Sequence, residues 1–114
     1  MAQYLMLLWE DPASFAQVSA ADMQNVIQEY IAWRKKIEAQ GQFRSSAKLK
    51  DEGGKRIRGG SNPTVSDGPY VEAHEVIGGF FLVEAANYDA AVGIARSCPH
   101  LKYGWIEVRE IEPT

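Results

Sequence analysis

Residues 76–85 read VIGGFFLVEA, apolar at adjacent positions as well as at alternate ones. A strand of that kind presents apolar side chains on both faces, and both faces need cover. Inside it, the pair Gly78-Gly79 marks a bulge or the close approach of another backbone. The run YLMLLW, Tyr4 to Trp9, has the same character; it is too short for a helix and is stopped by Asp11-Pro12. Two such strands in one sheet decide the fold, because something must lie on each side of them.

The segment between them supplies the first cover. Ser19-Ala-Ala-Asp22 has the form of a capping box, with the Ser19 hydroxyl placed to accept from the amide three residues on. From there to Gly41 the residues Met23, Val26, Ile27, Tyr30, Ile31, Trp33 and Ile37 fall in one arc about 160 degrees wide, the pattern of a helix packed on one side. Arg34 sits near the middle of that arc, where its side chain either snorkels to solvent or reaches into a pocket. Phe43 to Leu49 alternates, with Phe43, Ser45, Ala47 and Leu49 on one face. The turn Asp51-Glu52-Gly53-Gly54 is expected to reverse that strand into a short one, Lys55 to Arg58, and Thr64 to Tyr70 to resume as strand. After residue 85, Asn87 or Asp89 caps a short helix that ends at Pro99. A last strand, Gly104 to Ile111, points Ile106 and Val108 one way and Trp105, Glu107, Arg109 and Ile111 the other.

In order, these elements give a βαββαβ ferredoxin-like α+β sandwich with an inserted β-hairpin, a single domain spanning residues 1–114. Both helices lie on one face of such a sheet. The other apolar face is left open, and a second copy of the chain is the simplest cover, so a homodimer of facing sheets, a dimeric α+β barrel, is expected.

Composition narrows the function classes. With 12 basic and 15 acidic residues the net charge is -3, and the pI is near 5.3, so nucleic acid is not an expected partner and no anionic membrane is attracted. The longest apolar run falls far short of the roughly 20 residues that span a bilayer. No Lys or Arg precedes Arg34, against a cationic leader, and the single cysteine, Cys98, forms no internal disulfide; a cytoplasmic location is expected. Two histidines and one cysteine without ligand spacing give neither a metal site nor a cofactor motif.

Several residues have types suited to chemistry. Asp67-Gly68-Pro69-Tyr70 forms a rigid turn able to hold the Asp67 carboxylate as a general base, although composition alone favours an Asx-type turn in which it only caps neighbouring amides. His100, just beyond a helix C-terminus, is placed where the dipole favours the protonated ring. His74, between acidic neighbours, reads as a solvated loop residue, and Cys98 as core. Trp105, Glu107 and Arg109 place an aromatic ring and two opposite charges on the face opposite Ile106, as a ligand cavity or as an interface ion pair.

Asp67-Gly68-Pro69-Tyr70 followed by Glu72, Glu75 and Gly78-Gly79-Phe80 resembles the signature of the YCII-related superfamily in its DGPF-domain branch. The opening YLMLL, Cys98-Pro99-His100 and Ile106-Glu107-Val108-Arg109 resemble it too, with Tyr70 in place of the motif phenylalanine. The resemblance implies a dimeric α+β barrel and a family largely without assigned activity, in whose YCII branch a histidine and an aspartate are proposed as catalytic. Asp67 matches the motif aspartate; His100 stands in for the histidine as a hypothesis of this chain. The functional expectation is acid/base chemistry by Asp67 and His100 on a small organic acid or aromatic ring. Arg34 or Arg109 would hold its charge, and Tyr70 or Trp105, beside Glu107, would pack on its apolar part. The competing expectation is a non-catalytic dimeric module that binds a small molecule or a regulatory protein.

Overall fold

The computed structural model describes residues 1–16, 18–68 and 75–114. Four strands form one antiparallel sheet: β1 (Ala2–Glu10), β2 (Phe43–Lys48), β5 (Val76–Ala85) and β6 (Gly104–Glu110), in the order β2-β5-β1-β6. Between β2 and β5 the chain makes a separate two-stranded ribbon of β3 (Lys55–Arg58) and β4 (Thr64–Asp67). A one-turn helix α1 (Ala13–Ala16), the long α2 (Ala20–Ala39), α3 (Tyr88–Arg96) and a 3-10 turn (Pro99–Lys102) complete it. This is the ferredoxin-like order, with the two apolar strands β1 and β5 paired at the centre.

The boundaries follow local chemistry. Ser19 Oγ accepts from the Asp22 amide at 3.1 Å to start α2, and Asn87 Oδ1 accepts from the Ala90 amide at 2.9 Å to start α3. Trp33 and Ile37 of α2 and Ala91, Ile94 and Ala95 of α3 pack with Tyr4, Met6, Leu8, Phe81 and Val83, so both helices cover the same sheet face. Met6 and Val83 are fully buried, each contributing about 1.5–3 kcal/mol relative to an exposed position. The opposite face carries Leu5, Leu7 and Trp9 of β1 beside Leu82 and Phe80 of β5, all half-buried. The molecule measures 45 × 43 × 18 Å, the thickness of one sheet and one helix layer, and no helix among the described residues covers that second face.

Two expectations need correction. The segment after β2 does not fold back on it: among the described residues β2 pairs with β5 alone, while β3 pairs with β4 in the register Lys55↔Asp67 to Arg58↔Thr64. Gly53 and Gly54 both take positive φ (87° and 109°), turning the chain away from β2. The alternation in β2 is also broken, by a bulge between Phe43 and Ser45, so Phe43, Ser46 and Lys48 share the helix side, and Ser45 and Ala47 the open side. The expected strand continuation beyond Asp67, with Tyr70, and the loop reading of His74 lie outside the described residues.

Candidate active site

A cavity of about 300 Å³ lies between α2 and the helix-side face of the sheet. Its walls are mainly apolar, from Leu8, Met23, Val26, Ile27, Ile31 and Phe81. The titratable side chains that line it include Glu10 at the end of β1, Tyr30 from the middle of α2, and His100 from the 3-10 turn. Asp11 Oδ1 accepts from the Ala13 amide at 2.9 Å, starting the turn of α1 that brings Phe15 to the same cavity, where it packs on Tyr103.

His100 is 1% exposed, and both ring nitrogens are engaged. Nε2 lies 2.8 Å from the Trp9 carbonyl oxygen, which can only accept, so Nε2 carries the proton. Nδ1 is thereby left as an acceptor for the Tyr30 hydroxyl at 2.9 Å. Burial pushes the His100 pKa down, partly opposed by the bond to Trp9. The ring is therefore neutral, which corrects the expectation of a protonated ring at a helix end: desolvation outweighs the dipole. The same burial raises Tyr30, with the negative groups around it adding to the effect. With its proton directed to His100, the Tyr30 oxygen keeps a lone pair for a hydroxyl placed in the cavity.

Glu10 is half-buried, and desolvation holds its pKa above the ordinary carboxyl value, with Lys48 lowering it and Asp51 raising it. A carboxyl so placed can lose or accept a proton closer to neutrality than an exposed one. Two cations lie at the rim. Lys48 Nζ is 2.8 Å from Asp51, and Arg34 Nε is 3.3 Å from Glu38, with its guanidinium 5.6 Å from the centre of the Phe43 ring. A wider depression of about 910 Å³ runs toward the β3–β4 ribbon and shares Glu10 and Phe15 with the inner cavity, so Glu10 stands where the two meet.

Of the residues singled out from sequence, His100 and Arg34 line this cavity. Asp67, with its side chain 87% exposed, pairs with Lys55 on the ribbon, and no hydrogen bond joins it to His100 among the described residues. Trp105, Glu107 and Arg109 lie on the open sheet face, opposite Trp9, Leu7 and Leu5. There Trp105 stacks on Trp9 with centroids 5.1 Å apart and planes 3° apart, and Glu107 accepts from the Trp9 indole at 3.1 Å. Trp105 in turn donates to Glu75 at 3.1 Å. Tyr70 lies outside the described residues. Cys98 is buried as expected, its thiol pushed up to about 11 by desolvation. Among the described residues no three His, Cys, Asp or Glu side chains cluster as metal ligands would.

Glu10 and Tyr30 were missing from the sequence reading as site residues, although each left a signal. Glu10 continues the inward series Tyr4, Met6, Leu8 at a period of two, and Tyr30 places a hydroxyl in an apolar arc where it needs a partner.

The chain belongs to the YCII-related domain family, whose model matches residues 2–114. No curated protein matches it significantly. Among solved structures it is similar to the 5-chloro-2-hydroxyhydroquinone dehydrochlorinase TftG from Burkholderia phenoliruptrix AC1100, in complex with 2,5-dihydroxybenzoquinone. The identity is 15%, with 96% of this chain and 93% of that chain covered at a TM-score of 0.50, a likeness of fold.

Proposed function

We propose that this protein, read as a member of the DGPF branch, is a small acid/base enzyme acting on a hydroxylated aromatic ring or a related small organic acid, by isomerase- or lyase-like proton transfer. The observation that carries the reading is the convergence of Glu10 and the Tyr30–His100 pair on one apolar cavity of about 300 Å³, near the lower end of small-molecule sites. The acid/base pair expected from sequence thus shifts from Asp67 with His100 to Glu10 with His100, the latter acting through Tyr30. The structural neighbour's bound dihydroxybenzoquinone is a ligand of the same size class and supports the choice of substrate.

In this reading a substrate hydroxyl donates to the Tyr30 oxygen. Its proton moves to Tyr30 as the Tyr30 proton passes to His100 Nδ1. The electron pair of the broken O–H bond forms a carbonyl, and the ring π pair takes the proton of Glu10 at carbon. Net change is one O–H bond broken and one C–H bond formed, leaving a Glu10 carboxylate and a His100 imidazolium that reset on reversal or through solvent. The depressed His100 pKa makes it a transient proton store. Arg34 and Lys48 at the rim suit an anionic substituent. A second copy of the chain covers the open sheet face in this proposal, and the protein is a cytoplasmic homodimer; among the described residues no helix is long and apolar enough to cross a membrane.

The test is solvent-deuterium exchange into the ring carbons of 1,2,4-trihydroxybenzene, followed by proton NMR. The protein is expected to accelerate exchange, and Glu10→Gln to remove about 10²-fold or more of the acceleration. Saturable binding of trihydroxybenzene or 2,5-dihydroxybenzoquinone with no exchange above background would instead identify a non-catalytic binding module.

A further inference from the structure

Gly78 occupies the bulge at which β5 slips against β1: Leu8 faces Gly79, whereas Trp9 faces Ile77. Its φ is not in the left-handed region, unlike those of Gly41, Gly53, Gly54 and Gly59, so the backbone conformation does not call for glycine. The space around it does. A Cβ at position 78 would lie 1.7 Å from Glu10 Oε1, 2.6 Å from Glu10 Cδ and 3.3 Å from Glu10 Cγ. All three nearest atoms belong to one side chain.

The other sheet glycines have different neighbours. A Cβ at Gly79 would meet the Ala47 carbonyl oxygen at 2.6 Å and Lys48 Cα at 3.3 Å, so that glycine allows two backbones to approach. A Cβ at Gly104 would meet the Trp9 carbonyl oxygen at 2.0 Å. Both of those clashes are with backbone, which has nowhere to go. At Gly78 the obstacle is the far end of a flexible carboxylate, which can swing away at little cost to the fold. Meanwhile the Gly78 carbonyl accepts from the Leu49 amide at 2.9 Å, so the bulged residue is fixed in place.

We infer that Gly78 is a positioning residue for Glu10: its bare Cα leaves the volume that the Glu10 carboxyl occupies, and any side chain there would expel the carboxyl from the cavity while leaving the fold intact. The assignment deepens the proposed role of Glu10 and predicts that the site can be disarmed by adding a single methyl group on the strand beside Glu10. The raised pKa of Glu10 accords with a carboxyl held against the strand in this way.

The experiment titrates the Glu10 carboxyl carbon by NMR in the free protein and in Gly78→Ala, with thermal melts of Gly78→Ala, Glu10→Ala and the double variant. In Gly78→Ala the Glu10 pKa is expected to fall to the ordinary carboxyl range near about 4.3. The double variant is expected to melt no lower than Glu10→Ala, because the group that the new methyl would strike is gone. A folded Gly78→Ala with the Glu10 titration of the parent protein would overturn the assignment. So would a double variant that unfolds where Glu10→Ala does not, which also decides the matter if Gly78→Ala alone fails to fold. The titration needs no ligand, so its result stands apart from whether the cavity turns over a substrate.

Discussion

Replacing Tyr30 by Phe removes one oxygen from the centre of the site and tests the hydrogen-bond order Tyr30 to His100 to Trp9. The ring stays, so its contact with the imidazole, 6.2 Å between centroids, is retained. What is lost is the donor to His100 Nδ1, in a residue only 1% exposed. An acceptor left unpaired in such a place costs about 1–3 kcal/mol. For a domain of this size that corresponds to a fall in Tm of about 4–12 °C. The burial that lowers the His100 pKa is kept in the variant, so the ring is expected to stay neutral. The tautomer should not change, because the Trp9 carbonyl still demands a donor from Nε2. Urea unfolding followed by tryptophan fluorescence measures the first effect, and long-range nitrogen–proton correlation of the histidine ring the others. A loss below about 0.5 kcal/mol, or a switch of the proton to Nδ1 in the variant, would refute the reasoning.

Three further outcomes follow from the same geometry. Because the folded His100 pKa lies below 6.5, the unfolded chain takes up its proton first; the stability this group contributes is complete above about pH 6.5 and lost as pH falls below it. Glu10 has the opposite sign: its folded pKa is above 4.5, so its contribution is complete below that value and is lost as pH rises through the folded pKa. Urea midpoints from pH 4 to 8 should therefore lose their alkaline decline in Glu10→Gln and keep their acidic one; an unchanged profile would remove Glu10 from the balance. Cys98, with its thiol raised to about 11 and buried, should resist thiol reagents at pH 8 in the native protein and react fully in urea, and rapid native labelling would contradict its burial. Leu7→Lys with Leu82→Lys, on the open sheet face, should convert a sedimenting dimer to a folded monomer, whereas an unaltered sedimentation coefficient would place the dimer contact elsewhere.

The fold was legible where a pattern is carried by residues close in sequence. Ser19 and its amide three residues on, the Asn87 cap, and the uninterrupted apolar runs of β1 and β5 each specify their element locally, and the order of elements then leaves little freedom. What failed depended on pairing at a distance. Whether Lys55–Arg58 joins β2 or β4 is a matter of where Gly53 and Gly54 send the chain, and two glycines together permit more than one answer. In β2 the alternation itself misled, since a single extra residue at the Phe43–Ser45 bulge moves Lys48 from the open face to the cavity.

The site repeats that lesson at finer scale. His100 could be singled out as one of two histidines, but its protonation depends on burial under α2 and on the Trp9 carbonyl, 91 residues away in sequence, and no local dipole argument contains either. Glu10 reads locally as the charge that ends an apolar run. Counted by twos from Tyr4, however, it points into the core, and a carboxylate there needs either a partner or a use. The structure gives it no ion pair among the described residues, but an apolar cavity, a neighbouring phenol and a glycine without a side chain on the adjoining strand. Charge at an inward strand position, beside glycine at the bulge of the strand it pairs with, is thus a sequence pattern with a physical cause: the pairing that brings position 10 and position 78 together is what turns an interruption of the core into a candidate acid.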